Sequence, residues 1–231
     1  MDPMPFQGRT VVVFGGGGAL GRSVVDRFLA EGATVVVAAA TVPPSDVRQS
    51  SVAYAAVDAL DEASVEGFLN LLDPAPWAVV NVIGGYTPGQ PVCDLDLDVL
   101  RRQLDLNLVT ATIITKHAVS RMMAAGMGGR IVHTSSRAAV GSGRNEFAYS
   151  VSKLGVIRLV EAAAAEAKEL GITVNCVVPS IIDTPANRSA MPTADHARWP
   201  KPAQLAGVFA FLASDDAELI SGAAIPVYGR T

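Results

Sequence analysis

Short runs of β-branched and small apolar residues alternate along this chain with longer stretches whose apolar positions recur at helical spacing. The first run, residues 10–14, is apolar without alternation, the pattern of a strand covered on both faces. Residues 19–31 follow with Leu20, Val24, Val25, Phe28 and Leu29 on one stripe, a helix that Gly32 ends. The same reading predicts strands over 34–40, 52–57, 77–83, 130–134, 172–178 and 223–227. It predicts helices over 64–72, 95–125, 149–170 and 204–213, with Gly171 closing the third of these and Pro179 stopping the sixth strand. Strands separated by helices imply an α/β protein with a seven-stranded parallel, doubly wound sheet and helices on both faces. Parallel neighbours need helical crossovers of right hand.

Composition narrows the field. The 231 residues suit a single domain, and no Pro/Gly/Ser-rich linker or charge run divides them. With 18 basic against 22 acidic residues the net charge is −4, and no basic cluster marks a nucleic-acid or anionic-membrane partner. Cys93 and Cys176 are too few for a disulfide framework or a zinc site, and His117, His133 and His196 show no ligand spacing, so no metal is expected. These features, an N-terminus without a basic, apolar leader and the lack of a membrane-length apolar run predict a reduced cytoplasmic protein.

Two constellations carry chemistry. Gly15-Gly16-Gly17-Gly18-Ala19-Leu20-Gly21 joins the first predicted strand to the first helix. Glycines there permit positive φ and let backbone approach a pyrophosphate, for which the helix N-terminus supplies unpaired N–H groups. This is the phosphate turn of a Rossmann fold. Further on, Tyr149 and Lys153 stand four apart on one helix face. A lysine cation there is expected to draw the phenol's pKa down from about 10 toward the working range of an acid/base catalyst. Ser136, thirteen residues earlier at a strand end, is placed to hydrogen-bond a carbonyl oxygen.

On these residues the chain is identified as resembling the short-chain dehydrogenase/reductase family over nearly its whole length. The glycine turn resembles that family's TGxxxGxG with Phe14 for Thr and Ala19 for the middle Gly. Asn81-Val82-Ile83-Gly84 resembles its NNAG, and Pro179-Ser180 its PG segment. The resemblance implies a catalytic set of Asn107, Ser136, Tyr149 and Lys153. Tyr149 would be general acid/base, Ser136 would polarise the carbonyl, Lys153 would hold the nicotinamide ribose, and Asn107 would anchor a relay water. It implies a dinucleotide held by Gly15, Gly17, Gly18, Ala19, Leu20 and Gly21, by Ala39 and by Asp58 with Ala59. Asn81, Gly84, Tyr149, Lys153, Pro179, Ile182 and Thr184 complete that set. The expected activity is hydride transfer between a nicotinamide and a small-molecule ketone or secondary alcohol, in a homodimer or homotetramer.

The second strand ends in Ala38-Ala39-Ala40-Thr41, without the acid that normally takes the NAD ribose, which leans the cofactor toward NADP rather than NAD. Arg22, Arg48 and Thr41 are the candidates for a 2′-phosphate. Substrate contacts are expected from Tyr86, Met191, His196 and Trp199, with simple packing as the default for each, and a short segment after Pro185 implies an open pocket. Arg137 and Arg144 flank the Ser136 loop, with solvated loop as their default. Two alternatives remain. The glycine turn and the 183–199 stretch also look like dihydropteridine reductase, which puts a quinonoid pterin on the substrate list. In a different class stand a non-catalytic NAD(P)H-binding regulator, against which the intact Asn107-Ser136-Tyr149-Lys153 set argues, and a structural subunit pairing through its long helices.

Overall fold

The computed structural model describes residues 4–42 and 49–231. Among these, β1 (Thr10–Phe14), β2 (Thr34–Ala39), β3 (Val52–Ala56), β4 (Ala78–Asn81), β5 (Gly129–Thr134), β6 (Ile172–Pro179) and β7 (Ala224–Val227) form one sheet. Every neighbouring pair is parallel, in the order β3-β2-β1-β4-β5-β6-β7. The winding reverses at β1, which pairs with β2 on one side and β4 on the other, so a crevice opens beyond the C-terminal ends of β1 and β4.

The unbroken apolar strands follow from burial on both faces. Val11 and Val13 point into the layer formed with α1 (Ala19–Ala30) and α7 (Pro202–Ala213), where Phe6, Phe28 and Phe209 also pack. Val12 and Phe14 point the other way, toward α2 (Glu62–Asn70), α4 (Thr110–Ala124) and α5 (Phe147–Ala167), and into a layer holding Ile114, Met122, Ile157 and Val160. Burying one such side chain contributes about 1.5–3 kcal/mol.

Several boundaries differ from the sequence pattern. Helix α2 starts at Glu62, because the Asp61 carboxylate accepts from Ala63 N at 3.0 Å and caps it. The helix expected over 95–125 is two helices, α3 (Leu97–Leu104) and α4, joined by a π-helical turn at Asp105–Val109 that contains Asn107. Helix α5 starts two residues ahead of Tyr149, and Pro179 is the last residue of β6, paired with Val227, rather than the residue that stops it. A short helix absent from the pattern, α6 (Pro185–Ala190), follows β6 and is capped by the Thr184 hydroxyl.

Candidate active site

At the end of β1 the backbone turns through Gly15, whose φ of +82° is open to glycine, and Gly15 N donates to Ala38 O at 2.9 Å. Gly21 stacks on this turn so closely that an added Cβ would lie 2.2 Å from Gly15 O. Gly17 faces the opposite condition, with no atom within 4 Å of such a Cβ. No side chain caps α1. The first-turn N–H groups at Ala19, Leu20 and Gly21 therefore stand before an open glycine surface, a cradle that fits the diphosphate of a dinucleotide. Arg22 reaches back to donate to Gly17 O at 2.7 Å, which places its guanidinium beside that cradle.

Ala39 and Asp58, expected at the adenosine, lie at the ends of β2 and β3. Ala39 is half-buried and its carbonyl accepts from Val57 N at 2.9 Å. Asp58 is exposed, with one carboxylate oxygen accepting from Leu60 N at 3.0 Å, whereas Ala59 is buried in the core behind it. Arg48 lies outside the described residues.

On the other side of the crevice, the Ser136 hydroxyl stands close enough to the Tyr149 phenol to act on its pKa. Burial pushes the Tyr149 phenol above its ordinary pKa, and the Ser136 hydroxyl opposes this with a smaller effect. The Tyr149 ring meets that of Tyr86 edge-on, with centroids 5.2 Å apart. Lys153 is buried, its amine donates to Thr134 O at 3.0 Å, and burial lowers its pKa to about 8. The expected depression of the phenol by Lys153 is thus corrected: the amine is turned to a backbone carbonyl, and desolvation dominates the phenol.

Asn107 is buried in its π turn, with Oδ1 accepting from Gly85 N at 3.1 Å and Nδ2 at 3.2 Å from Gly85 O, Gln103 O and Ser152 Oγ. Its side chain is therefore committed to the loop after β4 and to its own helical turn. Gly84 lies between the two groups: a Cβ there would sit 2.6 Å from Lys153 Nζ and 2.8 Å from Asn107 Oδ1. Asn81, expected at the dinucleotide, instead spends its side chain inside the protein, accepting from Ile83 N at 2.9 Å and contacting His133 Nδ1 at 3.3 Å. His133, which no motif marks, is fully buried on β5 beside Asn81. Its Nε2 lies 2.8 Å from Thr115 Oγ1, whose hydroxyl donates to Ala111 O at 2.7 Å. That hydroxyl can only accept from the ring, which puts a proton on Nε2. Burial, helped by the Lys153 charge, lowers its pKa to about 3.

The segment after β6 is fastened to itself. Pro179 is buried in the sheet, Ile182 O accepts from Thr184 N and Asn187 Nδ2, each at 2.8 Å, and Arg188 grips Asp183 at 2.5 and 2.9 Å. Trp199 is 5% exposed and packs on His196 at 4.6 Å, so both are packing residues, whereas Tyr86 is 54% exposed against Tyr149. Arg137 turns to Thr231 Oγ1 at 3.3 Å, and Arg144 is exposed on the loop.

Comparison with known proteins agrees with this geometry. Residues 17–229 match the family model described as enoyl-(acyl carrier protein) reductase. A cis-4-hydroxycyclohexanecarboxylate dehydrogenase of Sinomonas cyclohexanicum is 32% identical across 97% of this chain and 96% of its own. A 3-oxoacyl-(acyl-carrier-protein) reductase of Mycobacterium bovis is 30% identical across 97% of this chain and 93% of its own. The solved structure of a short-chain type dehydrogenase/reductase from Mycobacterium ulcerans superposes with a TM-score of 0.88 at 27% identity, covering 97% of this chain and 90% of that one. This chain belongs to the short-chain dehydrogenase/reductase family. It is an NAD(P)-dependent oxidoreductase acting between small-molecule alcohols and carbonyl compounds.

Proposed function

We propose that the chain reduces a ketone, or oxidises the matching secondary alcohol, with Tyr149 as general acid/base. The observation that carries this reading is a pair of juxtapositions: the Ser136 hydroxyl beside the buried Tyr149 phenol, and Lys153 and Asn107 both within 3 Å of a Cβ built at Gly84. A nicotinamide dinucleotide supplies or accepts the hydride, and Gly15, Gly17, Gly18, Ala19, Leu20 and Gly21 would hold its diphosphate. Asp58 would take the adenine, and Pro179, Ile182 and Thr184 the carboxamide end. In reduction, Tyr149 gives its proton to the carbonyl oxygen while Ser136 donates a hydrogen bond to that oxygen. The phenol's raised pKa keeps that proton in place near neutrality. Lys153, its amine donating to Thr134 O, would hold the nicotinamide ribose, and the phenolate takes a proton back from solvent before the next cycle. Asn107 holds Gly85, and through it the loop that flanks this cluster.

The preferred cofactor is NADP. Ala39 presents no carboxylate to repel a 2′-phosphate, and Arg22 beside the glycine turn offers a cation for it. The protein works as a homodimer or homotetramer, with the exposed Met123 of α4 and Phe147 and Leu154 of α5 available to a second copy. The free thiols Cys93 and Cys176 suit the cytoplasm. Among the described residues no helix is long and apolar enough to cross a membrane. The test is a steady-state assay of the pure protein with NADPH and NADH against a panel of ketones. Turnover with NADPH favoured supports the reading; tight dinucleotide binding without turnover replaces it with a regulator.

A further inference from the structure

Tyr86 stands on the loop that leaves β4, between two residues that are held in place. Gly85 exchanges hydrogen bonds with the Asn107 side chain at 3.1 and 3.2 Å, and Thr87 Oγ1 accepts from Gln103 Nε2 at 3.2 Å. Gln103 and Asn107 are themselves buried, one helical turn apart, and joined at 3.3 Å. A buried polar clamp from α3 and the π turn thus sets the backbone on both sides of Tyr86. The ring stands nearly perpendicular to that of Tyr149, at 84°, and is nonetheless 54% exposed. An aromatic ring fixed beside the reacting phenol and left open to solvent is a preorganised contact surface, since its ordering entropy is already spent.

We propose that Tyr86 is a specificity-determining residue that lays its ring against a cyclic ketone or alcohol, alicyclic or aromatic, and that Gln103 is the positioning residue that holds it there. The proposal rests on Tyr149 being the acid/base. A flat or rigid ring meets this surface without losing internal freedom, whereas a linear chain of equal size must freeze several torsions to make the same contact. The discrimination therefore arises in binding, in ground and transition state alike, and reads out chiefly in KM.

The experiment measures kcat and KM for 2-tetralone and 2-octanone in the wild type, Tyr86→Phe, Tyr86→Ala and Thr87→Val, with NADPH fluorescence titration of each protein confirming an intact cofactor site. Tyr86→Phe is expected to stay within about twofold of wild type on both ketones, because the ring remains. Tyr86→Ala should raise KM for 2-tetralone about tenfold while changing 2-octanone by less than about threefold. Thr87→Val, which removes the acceptor for Gln103, should shift 2-tetralone in the same direction by a smaller factor. Equal losses on both ketones, a loss confined to kcat, or a wild-type preference for 2-octanone overturns the role of Tyr86 and leaves the acid/base assignment standing. A wild type that binds NADPH and reduces neither ketone overturns both.

Discussion

The two walls of the crevice are built on different physics. At the end of β1 the requirement is for missing atoms: Gly21 has backbone 2.2 Å from where a Cβ would lie, and Gly17 has nothing within 4 Å. Across the crevice, at the ends of β4 and β5, the requirement is for polar groups stripped of water. Lys153 is lowered to about 8, His133 to about 3, and Tyr149 is raised, each chiefly by burial. Substitutions on the first wall act through steric fit, and those on the second through charge.

Acid stability separates the walls by the largest margin. His133 resists protonation down to about pH 3 when folded but takes a proton below the ordinary histidine value of 6.5 when unfolded. The unfolded chain therefore binds more protons across that window, and stability falls as pH drops through it. Between pH 6.5 and 4, urea denaturation should show the wild type losing about 3 kcal/mol more than His133→Asn. A parallel loss in both proteins would remove buried charge as the organising feature of this wall.

Gly21→Ala should cost about 2 kcal/mol in the same denaturation assay, since the clash is with backbone that cannot swing away. Gly84→Ala tests where the walls meet. The methyl would displace the Lys153 amine, and kcat should fall about tenfold (1.4 kcal/mol) with NADPH affinity less affected. Smallest is Gly17→Ala, expected to leave stability within about 0.5 kcal/mol while weakening NADPH binding in a fluorescence titration. Were Gly17→Ala to unfold the protein, the glycine turn would be a folding element rather than an open cradle.

The steric wall was the more legible of the two in sequence, because glycine at a fixed offset between a strand and a helix has few other uses. The five inner strands are legible as largely apolar runs because both their faces are buried, whereas β3 and β7, at the edges, are only partly buried. Periodicity predicts one helix over 95–125, where the chain forms two joined by a π turn. A π turn leaves no mark on periodicity, and it is Asn107 bonding to Gly85 that shows why the turn matters. The Asp61 cap of α2 and the Thr184-Pro185 start of α6 are residue types that mark helix N-termini in sequence. By contrast, the neutral state of His133, the raised phenol and the exposed ring of Tyr86 depend on what surrounds them in three dimensions. Asn81 shows the converse: a motif residue whose side chain the fold turns inward.

The most direct measurement is a comparison of Tyr149→Phe with the wild type, in NADPH binding and in turnover of a ketone the wild type reduces. Unchanged NADPH affinity with kcat/KM lower by about three orders of magnitude is the predicted result. Retained turnover would contradict the assignment of Tyr149 as the proton donor, and with it the chemistry assigned to this wall.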